Sequence, residues 1–339
     1  MKAAVMASKD EFAIREIPDA HVDGWAIVQT KAAGVCGTEL HILDGMIDAP
    51  HFPFVLGHEA AGVVLSAPTG SNVAVGDRVA VYNMIGCGTC RWCRSGREEV
   101  CTDPVGQLGF TLDGTFSDLI AVPAENLIKL PDAVSFADAA LFSCGGMTAV
   151  HAVRLGEVSL GDSVVVNGVG GVGLMAIQVA LAAGARLIAV ADSEEKAALA
   201  RSAGAFHVVV LDDDGYDAVP AKIKEATDGA GATHFIELVG TSASMAAGVR
   251  SLGRHGAFIS IGYTKELIEL HPIEFILSEI RWLSSVAAAR RDLETAIQLG
   301  ADGRLTTVID TSYPLSDVQI ALDRLRSRQV SGRNVLEWK

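Results

Sequence analysis

The chain has 339 residues, half of them hydrophobic, and carries 27 basic and 41 acidic side chains for a formal net charge of -14. This length allows two domains, and the acidic balance argues against nucleic acid or an anionic membrane as a partner, because both select clustered Lys and Arg. The N-terminal segment has no signal-peptide core, and no uninterrupted apolar run reaches the ~18–20 residues of a membrane span. These features predict a cytoplasmic protein.

Residues 1 to 81 predict a compact, mostly β domain, because short β-branched segments there are bounded by Gly, Asp and Pro. Within it, Cys36, His41, His58 and Glu59 occupy turn-rich segments with several glycines. A thiolate, an imidazole and a carboxylate are ligand types that zinc accepts at about 2.0–2.3 Å. The four residues are therefore candidates for a zinc site, although an isolated Cys or His is more often a packed core residue.

Four more cysteines follow within fifteen residues, in the spacing C-x2-C-x2-C-x7-C: Cys87, Cys90, Cys93 and Cys101. In a reducing compartment such a cluster is more typical of a metal site than of disulfides. Four sulfurs complete a tetrahedron around zinc with no open position, which is the pattern of a structural site. We therefore predict a structural zinc on a short lobe at about residues 86–102. A redox CxxC pair is the alternative, but it needs only two cysteines.

The sixth cysteine, Cys144, lies on or after a helix predicted to begin at Ser135. By itself a lone cysteine is more often a small buried hydrophobic residue than a ligand. Beside Cys36 and His58, however, Cys144 completes a Cys-His-Cys set. Three protein ligands plus water is the pattern of a catalytic zinc site.

A glycine-rich turn follows a continuous β-branched run that is typical of a strand buried on both faces. The turn is Gly168-Val169-Gly170-Gly171-Val172-Gly173, and it opens an apolar helix. A second strand then ends in Asp192, nineteen residues beyond Gly173. This context predicts a dinucleotide site, in which the glycines let backbone approach a pyrophosphate and the acid binds the adenosine ribose. Asp192 favours NAD over NADP, because it would repel a 2′-phosphate.

Helix and strand patterns alternate to about residue 287. Such alternation predicts a parallel, doubly wound sheet with right-handed crossovers. The last fifty residues are too few for a domain of their own, so we expect them to rejoin the first domain.

Together these motifs resemble the zinc-containing alcohol dehydrogenases of the medium-chain dehydrogenase/reductase superfamily, over essentially the whole chain. The matching residues are Cys36 with Gly57-His58-Glu59, the four-cysteine lobe, Cys144 in SCGGMT, GVGGVG with Asp192, and Arg333. The resemblance implies an α/β fold, with a GroES-like, mostly-β catalytic domain from residues 1–145 and 288–339 and a doubly wound, parallel-sheet Rossmann domain from residues 146–287. The chain is most similar to compact members that form homotetramers, with a dimer as the alternative.

The resemblance also assigns roles around the catalytic zinc. Cys36, His58 and Cys144 match its three ligands, and Glu59 matches a carboxylate that can ligate the metal transiently. The implied reaction is the reversible, NAD-linked oxidation of a primary or secondary alcohol to an aldehyde or ketone, by hydride transfer from a zinc-bound alkoxide. Two zinc ions and one NAD per chain are the implied cofactors.

Three further residues match positions that handle the proton and the cofactor. Thr38 matches a hydroxyl that bonds the substrate oxygen, and His41 matches the outer end of a proton relay. Arg333 matches a basic residue that reaches the cofactor pyrophosphate. The alternative for His41 is a structural histidine at a domain edge, whose hydrogen bonds are made within the protein.

The sequence departs from the family pattern at Glu39, where an aspartate usually orients the zinc-bound histidine. The Glu39 side chain is one methylene longer than aspartate, so the sequence alone does not decide whether it makes the same contact with the histidine. By approximate alignment Met46, Asn83 and Phe110 are pocket-wall positions, and a polar Asn83, where an aromatic residue is common, indicates a wider or more polar pocket.

Three other functions remain open from the sequence. The segment Cys-Gly-Thr-Glu-Leu-His also resembles polyol and threonine dehydrogenases, although Cys144 argues against the polyol ligand set. Zinc-free quinone or enoyl reductases lack both cysteine-containing sites. A non-catalytic NAD-binding protein would not need Thr38, His41 and the three predicted zinc ligands together.

Overall fold

A computed structural model describes residues 1–9 and 11–339. The strands are β1 (Lys2–Ser8), β2 (Glu11–Glu16), β3 (Ala26–Val35), β4 (Phe54–Val55), β5 (Ala60–Ser66), β6 (Arg78–Val81), β7 (Met84–Ile85), β8 (Gly106–Gln107), β9 (Leu119–Val122), β10 (Leu127–Lys129), β11 (Ser163–Asn167), β12 (Arg186–Ala191), β13 (His207–Val210), β14 (Ala232–Glu237), β15 (Leu252–Ser260), β16 (Arg281–Ser284), β17 (Ile309–Tyr313) and β18 (Arg333–Glu337). The helices are α1 (Gly37–Leu43), α2 (Arg91–Arg94), α3 (Phe136–Leu141), α4 (Met147–Gly156), α5 (Gly171–Ala182), α6 (Glu194–Ser202), α7 (Val219–Ala226), α8 (Ser242–Ser251), α9 (Ile273–Ile276), α10 (Arg290–Ala301) and α11 (Val318–Arg326).

The chain folds into two compact units. The first contains Met1–Met147 and Ala288–Lys339, and the second contains Thr148–Ala287. The C-terminal residues thus return to the first unit, where β18 pairs antiparallel with β3.

The first unit is built on a mainly antiparallel sheet in the order β10-β6-β5-β3-β18-β17, and β9 also pairs with β3. A smaller sheet has the order β2-β1-β4. Alternate residues of β3 and β5 point into an aliphatic core that includes Val28, Val64 and Val79. The predicted mostly-β domain is confirmed, and its loops carry the cysteine and histidine motifs.

The four-cysteine lobe extends from the first unit between β7 and β8. These two short strands pair antiparallel through Met84↔Gln107 and Ile85↔Gly106. The pairing of β7 with β8 closes the base of the lobe. Beyond this base, the geometry of the lobe depends on the four cysteines and on any ligand that they bind.

The second unit is a six-stranded parallel sheet in the order β13-β12-β11-β14-β15-β16. The central strands β11 and β12 are almost entirely buried, as their uninterrupted β-branched and apolar residues require. The strand order reverses direction between β11 and β14, so the crevice at their carboxyl ends is where ligands bind in such sheets. The doubly wound parallel sheet expected from the sequence is confirmed.

Helix α1 differs from the turn-rich backbone expected around Cys36 and His41. Cys36 is its N-cap, and the Glu39 carboxylate at the third helical position accepts the Cys36 backbone N–H at 2.8 Å. This reciprocal cap satisfies donors that a short helix would otherwise leave unpaired. The segment therefore forms a helix despite its neighbouring glycine.

The helical stretch Phe136–Gly156 is long and apolar enough to cross a membrane by length and composition, but 78% of its most apolar window is buried inside the protein. It begins with Ser135 as N-cap, as expected, and is interrupted by a π-helical turn at Phe142–Gly146. Its apolar side chains are used for internal packing.

Candidate active site

Four residues from separate segments of the first unit converge on one point. Cys36 caps α1, His58 and Glu59 precede β5, and Cys144 lies on the π-helical turn. Their ligand atoms all lie within 4.8 Å of one another. His58 and Glu59 are buried, while both cysteines are half-buried. A sulfur–nitrogen–sulfur set with a nearby carboxylate is a donor set suited to zinc.

Local backbone geometry explains two of these positions. Gly57, immediately before His58, has φ +96°, and a side chain there would overlap Phe116. Only glycine fits both constraints, and it turns the chain so that His58 faces inward. On the other side, the extra residue of a π-helical turn changes the direction of Cys144 relative to the rest of the helix, and such turns are frequent at functional sites.

His58 is held from two sides. The Glu39 carboxylate accepts a hydrogen bond from His58 Nδ1 at 2.6 Å, which leaves the lone pair of Nε2 for a metal. The same carboxylate caps α1, so the longer Glu side chain serves both contacts. The Asn83 amide donates to the His58 carbonyl at 2.9 Å, and Asn83 is only 1% exposed. Asn83 therefore positions the histidine, and the polar-pocket hint drawn from it has no support in these contacts.

Electrostatics in the cluster favours an ionised sulfur. A hydrogen bond with Cys144 lowers the pKa of Cys36 well below its usual value and raises that of Cys144. Burial lowers the pKa of His58, but the carboxylate of Glu39 and the hydrogen bond to Cys36 raise it well above its ordinary value on balance. Thiolate character at Cys36 is the state that metal binding requires.

Glu59 and Arg333 form a buried ion pair beside the cysteines. The Arg333 guanidinium donates to Glu59 Oε1 and, at 3.3 Å, to the Val35 carbonyl. Burial raises the pKa of Glu59 to about 7, partly opposed by the charge of Arg333. Glu59 Oε2 is buried without a hydrogen-bond partner among the described residues, so one carboxylate oxygen remains available at the site. This orphaned acceptor, together with the three converging ligands, fits a bound cation.

The predicted proton-handling residues lie on the same helix as the Cys36 cap. Thr38 Oγ1 is 3.7 Å from the Cys36 sulfur, and His41 is half-buried near the end of α1. Arg333 is only 6% exposed and contacts Glu59, so its predicted contact with a cofactor pyrophosphate stays a prediction.

The lobe brings Cys87, Cys90, Cys93 and Cys101 together, with all four sulfurs within 4.8 Å of one another. Backbone N–H groups donate to these sulfurs, including that of Cys93 to Cys90 at 3.4 Å and that of Cys87 to Cys101 at 3.4 Å. Bonds of this kind lower the pKa of Cys90 to about 6, whereas burial raises that of Cys93 to about 12. Four sulfurs and no carboxylate or imidazole fit a closed structural zinc.

Arginines of the lobe pack on Trp92. The guanidinium carbons of Arg91 and Arg97 lie 4.3 and 5.2 Å from the Trp92 ring centroid, and Arg97 also pairs with Glu99 at 3.0 Å. These contacts add cation–π stabilisation to a lobe with little apolar core.

In the second unit, the glycine-rich turn lies at the carboxyl end of β11. Gly168 has φ +100°, and Gly170 is the N-cap of α5, which begins at Gly171. Val172 and Gly173 follow in the first turn of that helix, where a side chain at 173 would overlap the Gly168 carbonyl. Backbone N–H groups of the first helical turn are thereby available for an anion.

Asp192 lies just beyond β12 with a partner that sequence reasoning missed. Lys196, in the first turn of α6, places its ammonium 2.7 Å from Asp192 Oδ2. The i, i+4 spacing within a helix start is the signal that would have found it.

Comparisons with known proteins agree over the whole chain. Residues 22–132 match the family model described as Alcohol dehydrogenase GroES-like domain, and residues 171–302 match that described as Zinc-binding dehydrogenase. An alcohol dehydrogenase from Geobacillus stearothermophilus is 32% identical across 99% of this chain and 99% of its own length. The chain belongs to the zinc-containing alcohol dehydrogenase family.

Members of this family differ in activity. The solved alcohol dehydrogenase from the hyperthermophilic archaeon Aeropyrum pernix superposes with a TM-score of 0.92, is 30% identical, and covers 100% of both chains. An acryloyl-coenzyme A reductase from Metallosphaera sedula is 30% identical, over 99% of each chain. Family membership therefore confirms the GroES-like and Rossmann folds and an oxidoreductase, while the substrate has to be argued from the site.

Proposed function

We propose that this member of the zinc-containing alcohol dehydrogenase family oxidises a primary or secondary alcohol to an aldehyde or ketone with NAD, reversibly. The observation that carries the proposal is the convergence of Cys36, His58 and Cys144, with Glu59 beside them. These residues would hold a zinc ion, which would supply Lewis-acid polarisation of the substrate oxygen, and bound NAD would supply the hydride acceptor. The oxidation would also release one proton.

The chain's own residues orient the metal ligands and move that proton. Glu39 fixes the ring of His58, and Asn83 fixes its backbone. The Thr38 hydroxyl, which lies beside Cys36, would accept the proton of the alcohol as it passes its own proton on toward His41, and His41 would release a proton to solvent. Gly168, Gly170, Gly171, Val172 and Gly173 bind the pyrophosphate of NAD, and Asp192 binds its adenosine ribose.

A polyol or threonine-type substrate is the second candidate. The specific observation in its favour is that the Glu59 carboxylate belongs to the four-residue set, and its Oε2 is unpartnered among the described residues. Polyol dehydrogenases typically use a glutamate as the third zinc ligand, whereas Cys144 in the same set favours the alcohol dehydrogenase arrangement. Substrate ranking separates the two candidates.

The decisive experiment measures zinc per chain and NAD reduction against primary, secondary and polyhydric alcohols. We expect two zinc ions and turnover of simple alcohols. Cys144→Ser should lose activity and about one zinc, while Cys101→Ser should lose the lobe zinc. A protein that binds one zinc, retains it in the Cys36→Ser variant and reduces no NAD would contradict the proposal. Turnover of an enoyl thioester instead would move the chain to the reductases.

We also propose a homotetramer, with a dimer as the alternative. In the second unit β16 is an edge strand, and Leu267, Ile276 and Leu277 are 87%, 70% and 69% exposed. Exposed apolar side chains and an unpaired edge strand each favour self-association. Light scattering of the wild-type protein and of the Ile276→Asp/Leu277→Asp variant tests this. A wild-type monomer would overturn it.

The cytoplasm is the proposed location. All six cysteines are free thiols, and the two candidate metal sites use every one of them. A reducing compartment keeps such thiols available for zinc. Fractionation of expressing cells, with activity recovered in the cytoplasmic fraction, is the matching measurement.

A further inference from the structure

A buried polar pair joins the two strands at the point where the sheet reverses direction. Asn167 is the last residue of β11, Glu237 is the last of β14, and the two are register partners across the parallel ladder. Both are 0% exposed. The Asn167 amide donates to Glu237 Oε2 at 2.6 Å. The pair thus lies at the crevice where sheets of this topology bind ligands.

The other carboxylate oxygen of Glu237 holds the loop after β14. Oε1 accepts the backbone N–H groups of Val239 and Gly240, both at 2.8 Å, and the hydroxyl of Ser244 at 3.0 Å. On the opposite side, the Tyr216 hydroxyl donates to Asn167 Oδ1 at 3.4 Å. Both carboxylate oxygens are therefore bonded, as a buried charge requires.

The loop that Glu237 holds touches the glycine-rich turn. A side chain at Gly168 would lie 3.1 Å from Val239 Cγ2 and 3.3 Å from Leu238 Cβ. The same loop contacts the chain after β15, since any side chain at Gly240 would overlap Tyr263. We therefore expect a displacement of residues 238–240 to change the space around Gly168.

We propose that Asn167 and Glu237 are positioning residues for cofactor binding: their hydrogen-bonded pair fixes the loop at residues 238–240 against Gly168 and so sets the shape of the pyrophosphate turn. This inference rests on the proposed NAD-dependent function. Neither residue is assigned a contact with the cofactor. Their effect passes through backbone that the glycine-rich turn packs against.

An apolar pair would fill the same space without burying a charge. Burying a carboxylate is costly, and well-packed hydrophobic residues often replace buried polar pairs at no loss of stability. What Glu237 adds is direction, because only an acceptor can hold two successive N–H groups and the Ser244 hydroxyl at once. Burial also raises the pKa of Glu237, whereas the hydrogen bonds from Asn167 and from the loop lower it by a smaller amount.

The test swaps donor and acceptor within the pair. In Asn167→Asp the amide donor is lost and a second carboxylate faces Glu237, so the pair either repels or has to take up a proton, and both changes disturb the acceptor that holds the loop. In the double variant Asn167→Asp/Glu237→Gln, the amide of the new glutamine donates to the carboxylate introduced at position 167. The glutamine oxygen still accepts from the loop, and the Tyr216 hydroxyl still has an acceptor.

The double variant therefore restores every hydrogen bond of the pair with the same net charge as the wild type. Glu237→Met removes the acceptor altogether, whereas Glu237→Gln alone should be mild, because the Asn167 amide can flip to pair with it. Ser251→Ala is the matched control: Ser251 is also fully buried in α8, and its hydroxyl donates within that helix to the Ala247 carbonyl, at 2.7 Å.

The readouts are the Kd for NADH from fluorescence titration, KM for NAD against kcat, and the melting temperature. We expect Asn167→Asp and Glu237→Met to raise the Kd and the KM for NAD about tenfold, the size expected of unsatisfied buried groups, with a smaller change in kcat. The double variant should return both close to wild type. Ser251→Ala should lower the melting temperature without changing the Kd.

Two results would overturn the inference, and a third would refute the proposed function on which it rests. If the single variants lower the melting temperature but leave the Kd for NADH unchanged, the pair is structural only. If the double variant binds NADH as weakly as Asn167→Asp, the effect belongs to charge at position 167. If Glu237→Met does not fold, the Kd for NADH of Asn167→Asp compared with that of the double variant still tests the inference. A wild-type protein that binds no NADH would instead refute the proposed function.

Discussion

Gly34 provides the space in which Glu59 lies. A Cβ at this position would overlap Glu59 Oε2 and lie 2.8 Å from Leu141, on the helix that leads to Cys144. Gly34→Ala should therefore displace the carboxylate and that helix together. We expect a loss of about 1–3 kcal/mol in stability from overpacking, at least a partial loss of one zinc per chain, and alcohol oxidation reduced about tenfold or more.

Metal analysis and unfolding of the purified variant check this expectation, and Gly37→Ala is the control. A Cβ at Gly37 meets no atom within 4 Å, although it lies three residues away on the same segment. The control should retain both zinc ions. Full zinc content and unchanged stability in Gly34→Ala would contradict the prediction, since they would show that the Glu59 carboxylate can adopt another position.

We expect Asp192 and Lys196 together to set the preference between NAD and NADP. The carboxylate disfavours a 2′-phosphate, while the ammonium 2.7 Å away is a ready partner for one. Asp192→Ser should shift the ratio of kcat/KM for NADP over NAD upward, by about tenfold or more from a charge-assisted hydrogen bond. The Asp192→Ser/Lys196→Ala variant should lose that gain. Equal ratios in the single and double variants would remove Lys196 from the explanation.

At the residue scale, ligand chemistry could be predicted and Glu39 could be named as the residue at the position that orients His58, but the support from Asn83 could not be predicted. Cys36, His58 and Cys144 are recognisable because their residue types and spacing suit zinc. The residue type and spacing of Asn83 do not reveal its role. Its amide donates to the carbonyl of a residue 25 positions earlier, and that contact depends on how β5 and β6 pair. Long-range contacts of this kind follow from the fold rather than from local pattern.

At the scale of elements, regular alternation was predictable and irregular helices were not. The strands of the parallel sheet follow from their β-branched runs. Helix α1 forms through the side-chain cap of Glu39, and the π-helical turn around Cys144 depends on packing: a side chain at Gly146 or at Gly300 of α10 would crowd the Phe142 ring. Neither the side-chain cap nor the packing around Phe142 produces a periodic pattern of hydrophobic residues by which the sequence would predict these helices.

Strand β14 and the end of α4 meet at a histidine with an acid-sensitive environment. His234 is 5% exposed, contacts the Gly156 carbonyl through Nε2 at 2.9 Å, and lies 3.8 Å from Asp162. Burial lowers the pKa of His234, so the unfolded chain takes up the proton at a higher pH than the folded chain does. Stability is therefore full above the ordinary histidine pKa of about 6.5 and is lost as the pH falls through it toward the folded value.

His234→Gln should remove this acid sensitivity, because the glutamine amide can still donate to Gly156 and does not titrate. Above pH 7 the variant should match the wild type or be slightly less stable. Below about pH 6.5 the wild type should lose up to about 1.4 kcal/mol per pH unit relative to the variant. Melting temperatures across pH 5–8 measure the difference, and parallel curves for the two proteins would contradict the assignment.

At the scale of the whole molecule, the metal and cofactor chemistry belong to different units. Both candidate metal sites lie within Met1–Met147 of the first unit, whereas the glycine-rich turn and Asp192 lie in Thr148–Ala287. Among the described residues, the second unit contains no comparable cluster of metal-ligating groups. Removal of zinc with a strong chelator should therefore affect the units unequally.

We expect chelation to abolish alcohol oxidation and to lower the melting temperature, since structural zinc contributes folding free energy. The Kd for NADH should stay close to that of the zinc-loaded protein, because the residues proposed to shape the cofactor turn, Gly168, Asn167 and Glu237, belong to neither candidate metal site. Cys101→Ser, which lacks one lobe ligand, should show the same thermal loss before chelation. A parallel loss of NADH binding and zinc would mean instead that the two units fold as one cooperative whole, and that the cofactor turn depends on metal-supported structure elsewhere in the chain.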